Sequence, residues 1–131
     1  MKFDGKILVV DDEDHVRKYL ALILRQTLPA VVITEAANGD EAIAAYQRDR
    51  PSLVLMDVNM PVRDGISTLQ ELSAIDPDVI VIMMTSLANR QTVDEAMNLG
   101  ATFYFRKDTP RAEISAVIKQ IVTENFEESP S

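Results

Sequence analysis

Leu53-Val54-Leu55-Met56-Asp57-Val58-Asn59-Met60-Pro61 is the stretch on which the fold turns. Leu53 to Met56 is apolar without alternation, which reads as a short strand buried on both faces. An acid follows at once, and Asp57 to Asp64, with Pro61 inside it, reads as a loop. An ordinary loop acid needs neither so uninterrupted a strand before it nor the Asn59-Met60-Pro61 turn after it.

Outward from this stretch, short apolar runs alternate with longer amphipathic ones. Lys6 to Val10 is predicted as a strand, followed by a helix over Asp14 to Leu28. That helix carries Val16, Leu20, Ile23, Leu24 and Thr27 on one stripe, and Pro29 closes it. Val31 to Glu35 is a second strand. Asn38-Gly39 is a turn, and Asp40 to Arg48 is a helix that points Ala42, Ile43 and Tyr46 inward and stops at Pro51. After the Asp57 loop come a helix over Gly65 to Ala74, a strand over Val79 to Met84 and a helix over Asn89 to Leu99 capped by Gly100. Thr102 to Phe105 is the fifth strand and Glu113 to Val122 the last helix. The domain spans 1–122, and 123–131 reads as a frayed acidic tail. Strands that alternate with helices imply right-handed crossovers and a parallel sheet covered on both faces. Ligands of such sheets bind beyond the carboxyl ends of the strands, so function is sought in the residues directly after each strand.

Composition narrows the functional classes. The chain has 131 residues, enough for one domain. It has no cysteine, which excludes disulfides and thiolate metal sites. The longest apolar run, Val79 to Met84, is far too short to span a bilayer, and Ile7 to Val10 runs straight into Asp11 and is no signal peptide. A cytoplasmic location is expected. The net charge of −8, from 21 acids against 13 bases, argues against direct nucleic-acid binding.

The strand ends deliver Asp11 and Asp12, Asp57, Thr85 and Ser86, and Lys107 to one edge. Carboxylates crowded together repel unless cations intervene. Lys107 supplies one positive charge, and a divalent ion such as Mg²⁺, with its preference for oxygen ligands, would supply the rest. A carboxylate beside such an ion can take a phosphoryl group covalently. Plainer roles are open to the same residues. Asp11 and Asp12 could cap the first helix, Ser86 the fourth, and Tyr104 could be ordinary packing. His15 reads as a surface histidine, Arg106 as a solvated charge, and Met83 and Met84 as core.

Ile7-Leu8-Val9-Val10-Asp11-Asp12-Glu13 resembles the opening of a bacterial response-regulator receiver domain. The Leu53 to Pro61 stretch with Asp64-Gly65, Thr85-Ser86, Gly100-Ala101, and Tyr104 three before Lys107 are similar to the same family in order and spacing, over about residues 5 to 122. The resemblance implies a flavodoxin-like α/β fold with five parallel strands in the order 2-1-3-4-5. It implies that Asp57 accepts a phosphoryl group from a sensor histidine kinase or phosphotransfer protein, with Mg²⁺ as cofactor. Asp12 would bind Mg²⁺ directly, Asp11 mainly through water, and Asn59 through its main-chain carbonyl. Lys107 would pair first with Asp57 and then with the phosphate. Thr85 would turn toward the phosphoryl group and Tyr104 would repack in step. That would alter the face of the fourth helix, fifth strand and fifth helix, which controls a downstream protein or output domain and is the place for a phosphorylation-driven homodimer. Such a domain catalyses only its own phosphorylation and dephosphorylation.

Two positions depart from the common pattern. Lys107 is followed by Asp108 rather than proline, which makes a cis peptide there doubtful. It is similar to receivers of regulators with a DNA-binding helix-turn-helix domain, so this chain could be a fragment of one. Leu87 cannot hydrogen-bond water, from which slow self-dephosphorylation is expected. Two rival functions stand. Asp12-Glu13-Asp14-His15-Val16 fits the nucleophile pattern of haloacid-dehalogenase-like phosphatases, with Asp12 and Asp14 as the acting pair. A pseudo-receiver, docking partners without ever being phosphorylated, is the other.

Overall fold

The computed structural model describes residues 5–86 and 90–126. Strand and helix alternate in the order β1 (Lys6–Val10), α1 (Asp14–Thr27), β2 (Val32–Ala36), α2 (Gly39–Asp49), β3 (Leu53–Asp57), α3 (Gly65–Ile75), β4 (Val81–Thr85), α4 (Arg90–Asn98), β5 (Phe103–Arg106) and α5 (Arg111–Asn125). The strands are parallel and lie in the order β2-β1-β3-β4-β5. This is the doubly wound, flavodoxin-like architecture expected from the alternation and the resemblance.

The sheet sorts its side chains by strict alternation. Ile7, Val9, Leu53, Leu55, Ile82, Met84 and Phe105 face α1 and α5, where they meet Leu20, Ile23, Leu24, Ile114 and Ile118. Leu8, Val10, Val54, Met56, Val81 and Met83 face the other way, onto Ala42, Tyr46, Leu69, Leu72 and Ala96 of α2, α3 and α4. The central strands therefore lack a polar face, which is why periodicity showed them as plain apolar runs. The boundary differences follow from hydrogen bonding. Val54 N–H bonds the Ile80 carbonyl and Val58 N–H that of Met84, so pairing carries β3 to Asp57 and β4 to Thr85, each one residue beyond its apolar run. Val79 is held instead in a turn, its N–H on the Asp76 carbonyl. Helix α5 does not stop at Val122 but continues to Asn125, and Phe126 beyond it is buried with its N–H on the Val122 carbonyl. The helix therefore runs past residue 122, the expected end of the domain, and an apolar side chain packs into the core just beyond it.

The helices start and stop by local chemistry. Asn38 caps α2 by accepting from Glu41 N–H at 2.9 Å, and the Glu41 carboxylate returns a bond to Ala37 N–H at 3.0 Å. Arg50 ends α2 in the left-handed region at φ 46°, immediately before Pro51. Asp64 caps α3 through Ser67 N–H at 2.8 Å. Val62, between these two helices in the β3–α3 loop, has φ 69°, a strained conformation for a β-branched residue. The Arg63 N–H closes that turn on the Pro61 carbonyl at 2.7 Å.

One polar pair ties α2 to the end of α3. The Tyr46 hydroxyl donates to Asp76 Oδ2 at 2.7 Å, and Asp78 N–H donates to the other oxygen at 2.9 Å. The Tyr46 bond is the main reason the Asp76 carboxyl is held below its usual range, while burial and Asp76 push the phenol up. A depressed carboxyl contributes stability above its unfolded pKa, near ~4, and loses it as pH falls through the folded value. Tyr46→Phe is expected to cost about 1 kcal/mol at neutral pH. Urea unfolding should show the gap from wild type closing in acid, where Asp76 is protonated in both proteins. A pH-independent gap would mean that ring packing, not the hydrogen bond, sets the cost.

Candidate functional site

The alternation that sorts the core also builds the site. Asp11, Asp57 and Lys107 continue the series that faces α1 and α5: Ile7-Val9-Asp11, Leu53-Leu55-Asp57 and Phe103-Phe105-Lys107. Register brings them level. Val10 pairs with Met56, so Asp11 comes beside Asp57 one step on, and Met84 beside Asp57 pairs with Phe105, two before Lys107. Asp12 and Thr85 carry the opposite phase, as Leu8-Val10-Asp12 and Val81-Met83-Thr85. They approach the same place from the α2–α4 side.

Lys107 Nζ lies 2.7 Å from Asp11 Oδ2 and 2.9 Å from Asp57 Oδ2, with Glu13 Oε1 at 3.7 Å. Asp11 is fully buried and Asp57 2% exposed, whereas Asp12 is exposed. One oxygen of each of Asp11, Asp12 and Asp57 falls within 4.8 Å of the others. Main-chain amides finish the arrangement. Asn59 N–H donates to Asp57 Oδ1 at 3.1 Å, and Glu13 N–H to Asp11 Oδ1 at 2.8 Å. Burial pushes the Asp57 carboxyl up, with Lys107 opposing and the Asp11 charge adding to the rise. For Lys107, burial favours the neutral amine, but the bonds to Asp11 and Asp57 outweigh it and the ammonium is held above its usual range.

One ammonium set against this many carboxylates leaves negative charge uncompensated. Among the described residues, Asp11 Oδ2 is buried and accepts no well-directed hydrogen bond, and the Lys107 ammonium faces it at 2.7 Å. Such an oxygen, with two more carboxylates in reach and no nitrogen or sulfur ligand among them, fits a hard divalent cation of the Mg²⁺ class.

The alternative readings can now be placed. Neither Asp11 nor Asp12 caps α1: its N-cap is Glu13, which makes no side-chain cap bond. Asp14 lies in solvent, its side chain 73% exposed and paired with Arg17, and it is not part of the group that Asp12 forms with Asp11 and Asp57. His15 is 79% exposed at its side chain, and Arg106 is exposed with its guanidinium on Asp108. Thr85 is buried at the end of β4, and its carbonyl accepts from Lys107 N–H at 2.8 Å. Tyr104 points away from Phe105: it is half exposed while Phe105 is buried, and its ring stacks at 6.1 Å on Phe103. No peptide bond among the described residues is cis, the Lys107-Asp108 bond included. Leu87 lies outside the described residues, and Ser86, exposed after β4, stands four residues before Arg90, the first residue of α4.

Sequence reading missed three residues that shape the site. Glu13 adds a carboxylate to the Lys107 cage. Gly65 lets α3 start against Asp57: a Cβ there would stand 2.3 Å from the Asp57 carbonyl oxygen. Arg17 holds the Asp11 carbonyl at 2.6 Å. Glu13, next to the paired acids, and Gly65, in the Asp64-Gly65 pair, were visible in the sequence without a role, and Arg17 carried no signal.

The family described as "Response regulator receiver domain" matches residues 7–119. The chain belongs to this family. The chain is 33% identical over 118 residues to the chemotaxis protein CheY of Halobacterium salinarum, covering 90% of this chain and 97% of that one. It is 34% identical to the transcriptional regulatory protein LnrK of Bacillus subtilis, covering 90% of this chain but only 52% of LnrK. Among solved structures, the CheX–CheY–BeF3–Mg complex of Borrelia burgdorferi superposes with a TM-score of 0.82 at 28% identity, over 88% of this chain and 87% of that chain. As a receiver domain, the chain has a role in two-component signalling, and neither the phosphatase nor the pseudo-receiver reading is favoured. Among the described residues no helix is long and apolar enough to cross a membrane.

Proposed function

We propose that Asp57 is the phosphoacceptor of this receiver domain and that Asp11, Asp12 and Asp57, with the main-chain carbonyl of Asn59, hold Mg²⁺. The observation that carries the proposal is the buried Asp57 carboxylate, paired to Lys107 at 2.9 Å and grouped with Asp11 and Asp12. When bound, the ion neutralises charge on the phosphoryl oxygens. The Asp57 oxygen forms the new O–P bond as the P–N bond of a phosphohistidine breaks and the imidazole leaves. Asn59 N–H and Lys107 orient the carboxylate beforehand. Lys107 then follows the charge onto a phosphoryl oxygen, and the Thr85 hydroxyl donates to another. Thr85 and Tyr104 share one phase of the sheet, since Tyr104 pairs with Met83, two residues before Thr85. Movement of Thr85 would therefore reach the exposed ring of Tyr104 on the α4–β5–α5 face.

The donor is a sensor histidine kinase or phosphotransfer protein in the cytoplasm, and the domain acts as a switch rather than an enzyme with its own substrate. Its output is either a separate partner, as a chain the length of CheY would need, or a following domain, as the half-length match to LnrK would need.

Intact mass after incubation with Mg²⁺ and acetyl phosphate tests the assignment. One phosphoryl group is expected on the wild type, none on Asp57→Ala, and none on the wild type in excess EDTA. Uptake by Asp57→Ala with loss in Asp12→Ala would transfer the role to Asp12 and overturn the proposal.

A further inference from the structure

Arg17 reaches under the acidic cluster from α1 with a side chain only 13% exposed. Its Nη1 donates to the Asp11 main-chain carbonyl at 2.6 Å, its Nε to Glu35 Oε1 at 3.1 Å and its Nη2 to Asp14 Oδ1 at 2.6 Å. We propose that Arg17 is a positioning residue for the metal pocket, fixing the peptide that joins Asp11 to Asp12 and so the aim of both carboxylates. The proposal rests on reading that pocket as a Mg²⁺ site.

The Asp11–Asp12 peptide is where opposing demands meet. Asp11 must point down into the core side of the pocket, and Asp12 must point out from the other phase of the strand. Their charges repel Asp57 and one another, and that repulsion favours rotation of the joining peptide away from the pocket. Asp11 N–H is tied to the Ala36 carbonyl at 3.1 Å, which holds one side of the residue to β2. Arg17 holds the other side, the carbonyl, and anchors itself on Glu35, the residue just before Ala36. Both ties therefore end on the last two residues of β2. Glu35 is a firm anchor because Lys18, 2.8 Å away, and then Arg17 hold its carboxyl below the usual range and keep it charged. The planar fork of arginine can serve a carbonyl and a carboxylate at once, whereas a lysine ammonium reaches them only as a point charge. The Asp14 contact sits in solvent, its carboxylate 73% exposed, and adds little.

The test is Mg²⁺ titration by calorimetry of the metal-free protein, for the wild type and for Arg17→Met, Arg17→Lys, Glu35→Gln and Asp14→Asn. Groups that orient metal ligands from behind commonly set affinity by ~10-fold or more. Arg17→Met should weaken Mg²⁺ binding by about tenfold, Arg17→Lys should recover only part of it, and Glu35→Gln should fall between. Asp14→Asn should stay at the wild-type value. A readout free of metal accompanies this: the Glu13 amide, bonded to Asp11 Oδ1, should exchange hydrogen faster in Arg17→Met than in the wild type. If Arg17→Met lowers the melting temperature yet binds Mg²⁺ as the wild type does, Arg17 is merely structural and the proposal is overturned. Should Arg17→Met not fold, wild-type affinity in both Arg17→Lys and Glu35→Gln overturns it equally. If the wild type itself takes up no Mg²⁺, the metal reading falls, and an unchanged Glu13 exchange rate in the Arg17 variants would then overturn the positioning role by itself.

Discussion

Lys107→Met lowers the stability of the metal-free domain by about 3 kcal/mol at neutral pH, the usual cost of taking away one partner of a buried ion pair. The ammonium is the nearest cation to both Asp11 and Asp57, at 2.7 and 2.9 Å, and neither carboxylate is open to water. Methionine fills much of the same volume, so the loss measures charge rather than a cavity. The pH dependence follows from Asp57. Its folded pKa is already raised, chiefly by burial, and Lys107 is the main influence holding it down. Without that ammonium it rises further. A group with a raised folded pKa contributes stability that is complete below its unfolded pKa and is lost as pH rises through the folded one. The deficit of Lys107→Met is therefore greatest at neutral pH and shrinks as pH falls through the new Asp57 value. Asp57→Asn in the same background removes the repulsion and restores most of the loss, a coupling that a double-mutant cycle in urea reads directly. A deficit that is flat with pH and untouched by Asp57→Asn would show that the lysine stem, not its charge, holds the β5–α5 turn.

Gly65→Ala has an effect of similar size for a steric reason. A Cβ on Gly65 would stand 2.3 Å from the Asp57 carbonyl oxygen, 2.8 Å from Val58 Cα and 3.0 Å from Met83 Cε. The first two are main chain and have nowhere to go. Gly65 N–H is at the same time bonded to the Val58 carbonyl at 2.8 Å, so α3 cannot back away without losing its tie to β3. Overpacking against backbone costs ~3 kcal/mol. Here the strain falls on the peptide of Asp57, the proposed phosphoacceptor. The expected result is a loss of that order in chemical unfolding together with slower phosphoryl uptake from acetyl phosphate, even at temperatures where the variant is fully folded. Full stability in Gly65→Ala would mean that the β3–α3 loop shifts freely.

These two residues differ in how far the sequence announced them. Lys107 was visible because it follows an apolar strand, and the topology of a parallel sheet sends every such residue to one edge. The same logic exposed Asp11, Asp12, Asp57 and Thr85. Gly65 was visible as part of an Asp-Gly pair, but its reason was not, because the crowding comes from Asp57 and Val58, which the chain brings back across a loop. Tyr104 shows the limit of periodicity. Alternation says that Tyr104 and Phe105 face opposite ways, but not which way is out. That depends on α1 and α5 covering Phe105, while α4 leaves Tyr104 half open.

The alternation of strand and helix, the two-sided burial of the sheet and the acids and lysine gathered at one edge can all be read along the chain. Apolar period and strand-end position are local properties of the chain, so they need no knowledge of what lies across the sheet. Packing in three dimensions is what seals Asp11 while leaving Asp12 open and sets Lys107 between Asp11, Asp57 and Glu13. It alone brought Arg17 beneath the Asp11 carbonyl. Those are matters of register and approach between segments far apart in the chain. Charge and close packing act through space over a few ångströms, and no pattern along the sequence encodes that distance.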